Sequence, residues 1–223
     1  KGYSLYLFRS EDAGETWEEL PLALPPGLEG AYDLKLLSVS PAQPDVLWLR
    51  VSSRSATGGI LFTVLRGEEG GRTLTSVLAQ EEPLVGMDVS ADGRTTWVAT
   101  NNQLFRERDA GGFSPLSRPT GNACVKREGS DLYACGSTWL HDWALARSTD
   151  EGNSWRPIFS LREVRGVHQC PQGTPVRERC PGLWPQLAEQ LGVPSSPGGA
   201  GGGTDGGTAQ EPPVTGTRCA VSP

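Results

Sequence analysis

The sequence is poor in the features on which most enzymes and membrane proteins are built. No apolar run approaches the roughly 18 residues of a spanning helix, so no segment is expected to enter a bilayer. Histidine occurs only as His141 and His168, and His168-x-Cys170 has no further ligand at a recognisable spacing. No metal and no cofactor are therefore expected. The chain has no C-x-x-C pair, which sets aside zinc-knuckle and thioredoxin-like folds. It has no nucleophile elbow, P-loop or dinucleotide motif. Excess positive charge is also missing: the net charge is −6, which argues against nucleic acid or an anionic membrane as partner. Amphipathic helical periodicity is absent from the first 160 residues, which opposes an α/β fold. The only methionine is Met87 and position 1 is Lys, so the start is read as processed or missing.

What the chain does have is turns. It carries 29 Gly and 18 Pro, and one octapeptide occurs twice, as Ser10-Glu11-Asp12-Ala13-Gly14-Glu15-Thr16-Trp17 and Ser148-Thr149-Asp150-Glu151-Gly152-Asn153-Ser154-Trp155. Both copies read S-x-D-x-G-x-[TS]-W and lie between short apolar runs, where a hairpin turn belongs. The Ser hydroxyl and Asp carboxylate can accept hydrogen bonds from nearby backbone N–H groups. The Gly permits a positive φ. The Trp is expected as the first inward residue of the following strand, an apolar anchor beneath the turn.

These octapeptides resemble the Asp-box, or BNR repeat, of sialidases, sortilin-type receptors and many secreted bacterial propellers. The resemblance implies that each box joins the third and fourth strands of a propeller blade, away from the ligand face. It makes Ser10, Asp12, Gly14, Trp17, Ser148, Asp150, Gly152 and Trp155 structural residues. Enzymes and non-enzymes share the signature, so it does not fix an activity.

Weaker copies fill the interval. RGEEGGRTL aligns with RSEDAGETW and puts Glu69 in the Asp slot, while RERDAGGF keeps Asp109 and Gly111 but is one residue short before the aromatic. Box-like turns thus stand at positions 12, 69, 109 and 150, at intervals of 57, 40 and 41 residues. Four-strand units at such a period are a propeller signature. The expected strands are 3–9 and 16–20; 33–40, 45–51, 60–66 and 73–78; 84–90, 96–100, 103–107 and 113–116; and 122–127, 131–136, 143–147 and 155–159. The fold class is all-β: a partial β-propeller of about three and a half antiparallel blades. A closed propeller needs at least about four blades, and this chain opens mid-blade, so it is expected to be the C-terminal part of a larger one.

The five cysteines are Cys124, Cys135, Cys170, Cys180 and Cys219. With Gly129-Ser130 as a two-residue turn, Cys124 falls opposite Cys135, within disulfide range. Cys170 and Cys180 bracket a Pro- and Gly-containing loop and form a natural second pair. The alternative is four reduced, buried thiols. Two disulfides imply a secreted or cell-envelope protein, with Cys219 left over.

Three regions follow: blades over 1–160, a Cys-clipped extension over 161–193, and a Gly/Pro-rich linker or disordered tail over 194–223. Residues 185–191 read as a short helix, with Pro185 in its first turn, Gly192 as its stop, and Trp184, Leu187 and Leu191 as its apolar face. The Gly/Pro stalk before Cys219 resembles the region ahead of a cell-envelope sorting signal; the alternative is a disordered tail with an incidental Cys.

Sialidase-like hydrolysis is the sharpest chemistry the box raises. Its arginine triad, Tyr–Glu pair and Asp acid find no match here, because Tyr3, Tyr6, Tyr32 and Tyr133 have no recognisable Glu partner and no Arg-Ile-Pro occurs. The unusual loop is 137–143, which joins the second and third strands of the last unit and carries Trp139, His141, Asp142 and Trp143. The resemblance puts that loop on the ligand face, where indoles, a His and an Asp suit a carbohydrate or protein ligand. The alternative is that the indoles pack between blades or under the C-terminal extension. Arg54 is the one strong recognition group of the corresponding loop two units earlier. The function that results is a monomeric, extracytoplasmic, non-catalytic binding or display module. The alternative is a sialidase-like glycoside hydrolase whose catalytic residues lie mostly upstream.

Overall fold

The computed structural model describes residues 4–117, 119, 121–164, 166–167 and 170–193. Expectations that concern Tyr3, His168, Cys219 and the 194–223 tail lie outside the described residues. The chain divides into two units, 1–160 and 161–223.

The first unit is a series of antiparallel meanders. β1 (Leu7–Arg9) and β2 (Glu18–Leu20) form a two-stranded half-blade. The second blade is β3 (Asp33–Val39), β4 (Leu47–Arg54), β5 (Ile60–Glu68) and β6 (Thr73–Gln80). The third is β7 (Leu84–Val89), β8 (Thr95–Thr100), β9 (Leu104–Arg108) and β10 (Ser114–Leu116). The fourth is β11 (Cys124–Glu128), β12 (Asp131–Cys135), β13 (Leu145–Ser148) and β14 (Arg156–Phe159). In every blade, strands pair in chain order. This is a partial, all-β propeller.

Alternation along the middle strands holds the blades together. Side chains one apart on a strand face opposite sides of its sheet. Leu47, Leu49 and Val51 of β4 join a core with Leu65, Leu28 and Ala31, while Trp48 joins Val64, Val98 and Phe105. On β8 the same sorting sends Val98 to the core shared with the second blade, and Trp97 and Ala99 to the core shared with Val125 and Leu132 of the fourth. Each inner sheet is thus buried on both faces by its neighbours. Full burial of such a Leu or Val is worth roughly 1.5–3 kcal/mol relative to exposure.

The two intact octapeptides close the β1–β2 and β13–β14 hairpins with one bond set. Ser10 Oγ donates to Asp12 Oδ1 at 2.8 Å and accepts from Gly14 N at 2.7 Å; Ser148 does the same to Asp150 and Gly152 at 2.8 Å each. Thr16 and Ser154 each donate a backbone N–H at 2.8 Å and a hydroxyl at 2.6 Å to their Asp. The indole N–H groups of Trp17 and Trp155 donate to the carbonyls of Gly14 and Gly152 at 3.1 and 3.0 Å. Ala13 and Glu151, just ahead of those glycines, also take the left-handed conformation, at φ 57° and 59°. The bonds hold a conformation that costs a non-glycine residue about 1 kcal/mol or more.

The weaker copies keep less. The Glu69 carboxylate accepts from the Thr73 hydroxyl at 3.2 Å, and the Asp109 carboxylate turns instead to Arg94 Nε at 2.7 Å. The half-blade corrects one expectation. Trp17 is 63% exposed, not an inward anchor, because its hairpin is a two-stranded sheet with no inner strands beside it. Trp155, by contrast, packs on Ala134, Trp143 and Ala146 of its own blade and against the Trp97–Leu104 core of the third.

Cys124 and Cys135 are bonded, with Cα atoms 4.9 Å apart, in direct register on β11 and β12. The second expected bridge does not form: Cys180 carries a free thiol. The physical reason lies in the second unit. The segment taken for a loop is helical from Pro175, as α2 (Pro175–Gln190), and it carries Cys180 on the helix. Thr174 caps α2, its hydroxyl accepting from Arg177 N at 3.3 Å, and Pro175 occupies the first turn, where no N–H is required. Pro185 is therefore an interior residue, not the start. The stop at Gly192 forms a Schellman motif, in which Val193 N donates to Ala188 O and Gly192 N to Glu189 O. The buried side chain of the helix is Ala188; Leu187, expected on the apolar face, is exposed.

Candidate functional site

The β12–β13 connection is a single helical turn, α1 (Thr138–His141). Ser137 caps it by accepting from Leu140 N, and Asp142 ends it in the left-handed conformation at φ 60°. A one-turn helix gives successive residues different fates, and it separates the two indoles of the loop. Trp139 and its neighbour Leu140 stand out at 53% and 79% exposure, whereas Trp143 is buried at 7% beside Ala134 and Ala146.

Two glycines shape this loop by close approach. A Cβ on Gly136 would lie 2.5 Å from the Trp143 ring, and one on Gly121 would lie 2.0 Å from the imidazole of His141. No side chain fits at either place, so the indole and the imidazole lie directly on backbone.

His141 and Trp143 line a cavity of about 480 Å³ together with Trp155, a box residue that sequence reasoning assigned to structure alone. Ala146 and Pro157, cross-strand partners on β13 and β14, line it beside them. Ser117 and Pro119, which follow β10, contribute from the third blade. The site is an inter-blade cleft. Its signal in the sequence was the set of small residues, Ala134, Gly136 and Ala146, around one large indole.

The lining is uncharged among the described residues apart from His141. Strand alternation accounts for this: Arg147 and Arg156 are register partners on β13 and β14, one residue removed from Ala146 and Pro157, and so face the opposite side of the sheet. Trp155 spends its N–H on Gly152, and His141 Nδ1 is buried without a hydrogen-bond partner.

The structure does not bring all expected ligand residues together. Trp139 and Asp142 are on the same loop but are not among the cavity-lining residues, and Asp142 serves as the helix cap. Arg54 ends β4 two blades away, exposed, with its guanidinium 3.5 Å from Gly58 O. Trp143, expected on a ligand surface, belongs to the core first. In the β6–β7 connection, Glu82 accepts from Asn102 Nδ2 at 2.6 Å and Thr100 Oγ1 at 2.8 Å, and these bonds, Asn102 first, hold its carboxyl below the usual range. Glu107 moves the other way: burial between strands pushes its carboxyl up, with the Arg66 charge opposing. Among the described residues no cluster of three metal-ligating side chains occurs, and no helix is long and apolar enough to cross a membrane.

No protein-family model matches the chain, and no curated protein matches it in sequence. Among solved structures, the extracellular domain of a one-component system from B. thetaiotaomicron is similar over 63% of this chain, at 10% identity and a TM-score of 0.41. A Bacteroides fragilis protein named for 6-phosphogluconolactonase activity is similar over 54%, at 20% identity and a TM-score of 0.32. The chain spans 18% of the first of these chains and 35% of the second. At these TM-scores neither likeness carries a ligand or an activity over.

Proposed function

We propose that this chain is part of an Asp-box propeller on the extracytoplasmic side of the cell, and that it works as a non-catalytic binding or display module. The single observation that carries the binding role is the inter-blade cleft, in which His141 and Trp143 of the last blade meet Trp155 beneath the box turn. The Cys124–Cys135 bond supports the compartment, because such bonds persist where the surroundings are oxidising. The repeated turn, with the same bond set at Asp12 and Asp150, supports the Asp-box assignment. Trp139 and Leu140, exposed on the same loop as His141 and Trp143, supply contact area for a ligand larger than the cleft itself.

The test is an array of glycans and peptides probed with the purified chain, beside a panel of 4-methylumbelliferyl glycosides. Specific retention of an arrayed ligand, weakened by Trp139→Ala or His141→Ala, is the expected result. Turnover of a fluorogenic glycoside would reject the non-catalytic role. Recovery of Cys124 and Cys135 as alkylatable thiols from the native host would reject the compartment.

A further inference from the structure

Helix α2 carries an apolar stripe that is open to solvent, and a free thiol stands within it. Val176, Cys180, Leu183, Trp184, Leu187 and Leu191 recur at the spacing that gathers residues on one side of a helix. Glu178 and Glu189 fall on the far side. Leu183 is 61% exposed and Leu187 44%, although a stripe of this width ordinarily faces a partner. We infer that residues 214–221 of the same chain cover the stripe, and that Cys219 within them forms a second disulfide with Cys180. This inference rests on the oxidising compartment read from the Cys124–Cys135 bond.

Three observations select that occupant. The first is which thiol is within reach. Cys170 is buried, whereas Cys180 is half-buried in the middle of the stripe and carries a free thiol. The second is composition. Residues 194–213 hold no side chain larger than Pro, Gln or Glu and no aliphatic one beyond Ala, while 214–221, VTGTRCAV, places two valines around Cys219. The third is reach. Cys180 stands thirteen residues before Val193, about 20 Å along a helix. Cys219 follows Val193 by 26 residues, and seven of residues 194–213 are Gly. A Gly-rich chain of that length spans roughly 25–30 Å root-mean-square, close to the distance it must cover. A tether matched to its span presents its end at an effective concentration on the order of mM. A second copy of the chain at μM concentration competes poorly with that. The bond forms by two exchanges with a low-molecular-weight disulfide such as oxidised glutathione. The Cys219 thiolate attacks one of its sulfurs and releases a glutathione thiolate. The Cys180 thiolate then attacks Cys219 Sγ in the mixed disulfide and releases the second. The two cysteines are oxidised, oxidised glutathione is reduced to two thiols, and the two cysteine protons end on those thiols.

The test is the purified chain equilibrated in a glutathione redox buffer, trapped by alkylation and digested without reduction. Trypsin cuts after Arg179 and Arg218, so the bond joins peptide 180–218 to peptide 219–223. That linked pair, recovered from monomer, is the expected result, with the Cys124–Cys135 bond as internal control. Leu183→Asp and Leu187→Asp should each lower the equilibrium constant for the Cys180–Cys219 bond by about tenfold, the effect of uncovering part of one leucine. Glu178→Gln, on the far side of α2, should leave it unchanged. Both leucines are exposed, so each variant tests the stripe without removing a core residue. The inference is overturned by a Cys180–Cys180 bond between two copies, by a Cys170–Cys180 bond, or by alkylation of Cys180 and Cys219 while Cys124–Cys135 stays bonded. It is also overturned if both leucine variants form the bond as the parent does, because a bare tether would then account for it. The redox buffer supplies the oxidant, so these results stand apart from the compartment, which the alkylation of Cys124 and Cys135 from the native host tests separately.

Discussion

At Asp12 and at Asp150 the chain closes the same turn in two different settings. Five pairs of corresponding bonds agree to within about a tenth of an ångström. The surroundings differ: Trp155 lies between two packed cores, whereas Trp17 is 63% exposed on a two-stranded sheet. The turn is therefore a local object, specified by its own octapeptide, and the burial of its indole is supplied by neighbouring strands. A signature of this kind marks where hairpins are without saying what covers them. The same division explains why Glu69 and Asp109 keep hairpins with far fewer box bonds. There the strands, not the turn, set the register.

The largest expected effect breaks the pair apart. Trp155→Ala removes an indole shared by two cores and should destabilise the first unit by about 3–5 kcal/mol. Trp17→Ala should cost less than about 1 kcal/mol, as surface changes do. Urea unfolding of both variants, followed by circular dichroism, measures the difference. Equal losses would mean that Trp17 is covered in solution and that the contrast drawn here is wrong.

The serines give a smaller contrast. Ser148 is buried, and its hydroxyl accepts from the buried N–H of Gly152, while Gly14 N–H is exposed to water. Ser148→Ala should cost about 1–3 kcal/mol, the penalty of a buried donor left unpaired. Ser10→Ala should cost only a few tenths of that, because water replaces the hydroxyl. Amide hydrogen exchange at Gly152 and Gly14 gives an independent readout, and protection lost equally at both would contradict the argument.

These differences also show what the sequence could reveal. Strand positions were legible because short β-rich runs alternate with glycine-bearing turns at a regular interval, and every expected strand overlaps an observed one. The Cys124–Cys135 register followed from counting outward from Gly129-Ser130. Helix α2 was half hidden because Pro181 and Pro185 lie inside it, and interior proline ordinarily ends a helix. That concealment produced the incorrect Cys170–Cys180 pairing. Within the candidate site, composition marked residues 137–143 as unusual but could not tell Trp139 from Trp143. Which indole points inward depends on the phase of a four-residue helix, and so few residues show no period. That Trp155 also lines the cleft is not legible in the octapeptide, which already gives it a structural role.

The smallest expected effect tests whether the two turns are as independent of their surroundings as their bonds indicate. Hydrogen bonds from the Thr16 hydroxyl and backbone, then from Ser10, lower the Asp12 carboxyl from 3.8 to about 2; Ser154 and Ser148 do the same for Asp150. A carboxyl held below its unfolded value favours the folded state when ionised. Its contribution is present above about pH 4 and fades as the pH falls from about 4 toward 2, where the folded group also takes up its proton. The parent protein should thus lose urea resistance through that window. Asp12→Asn and Asp150→Asn should each remove a similar share of the pH dependence, and the double variant should remove both. Because the named causes are hydrogen bonds and not ion pairs, added salt should leave both titrations in place. Carboxyl carbon shifts followed by NMR would report the two groups separately. Matching midpoints near 2 would show that each octapeptide sets its own carboxylate. A midpoint for Asp150 well apart from that of Asp12 would show that the packed blade tunes the turn, and the comparison would then fail at the residue on which it rests.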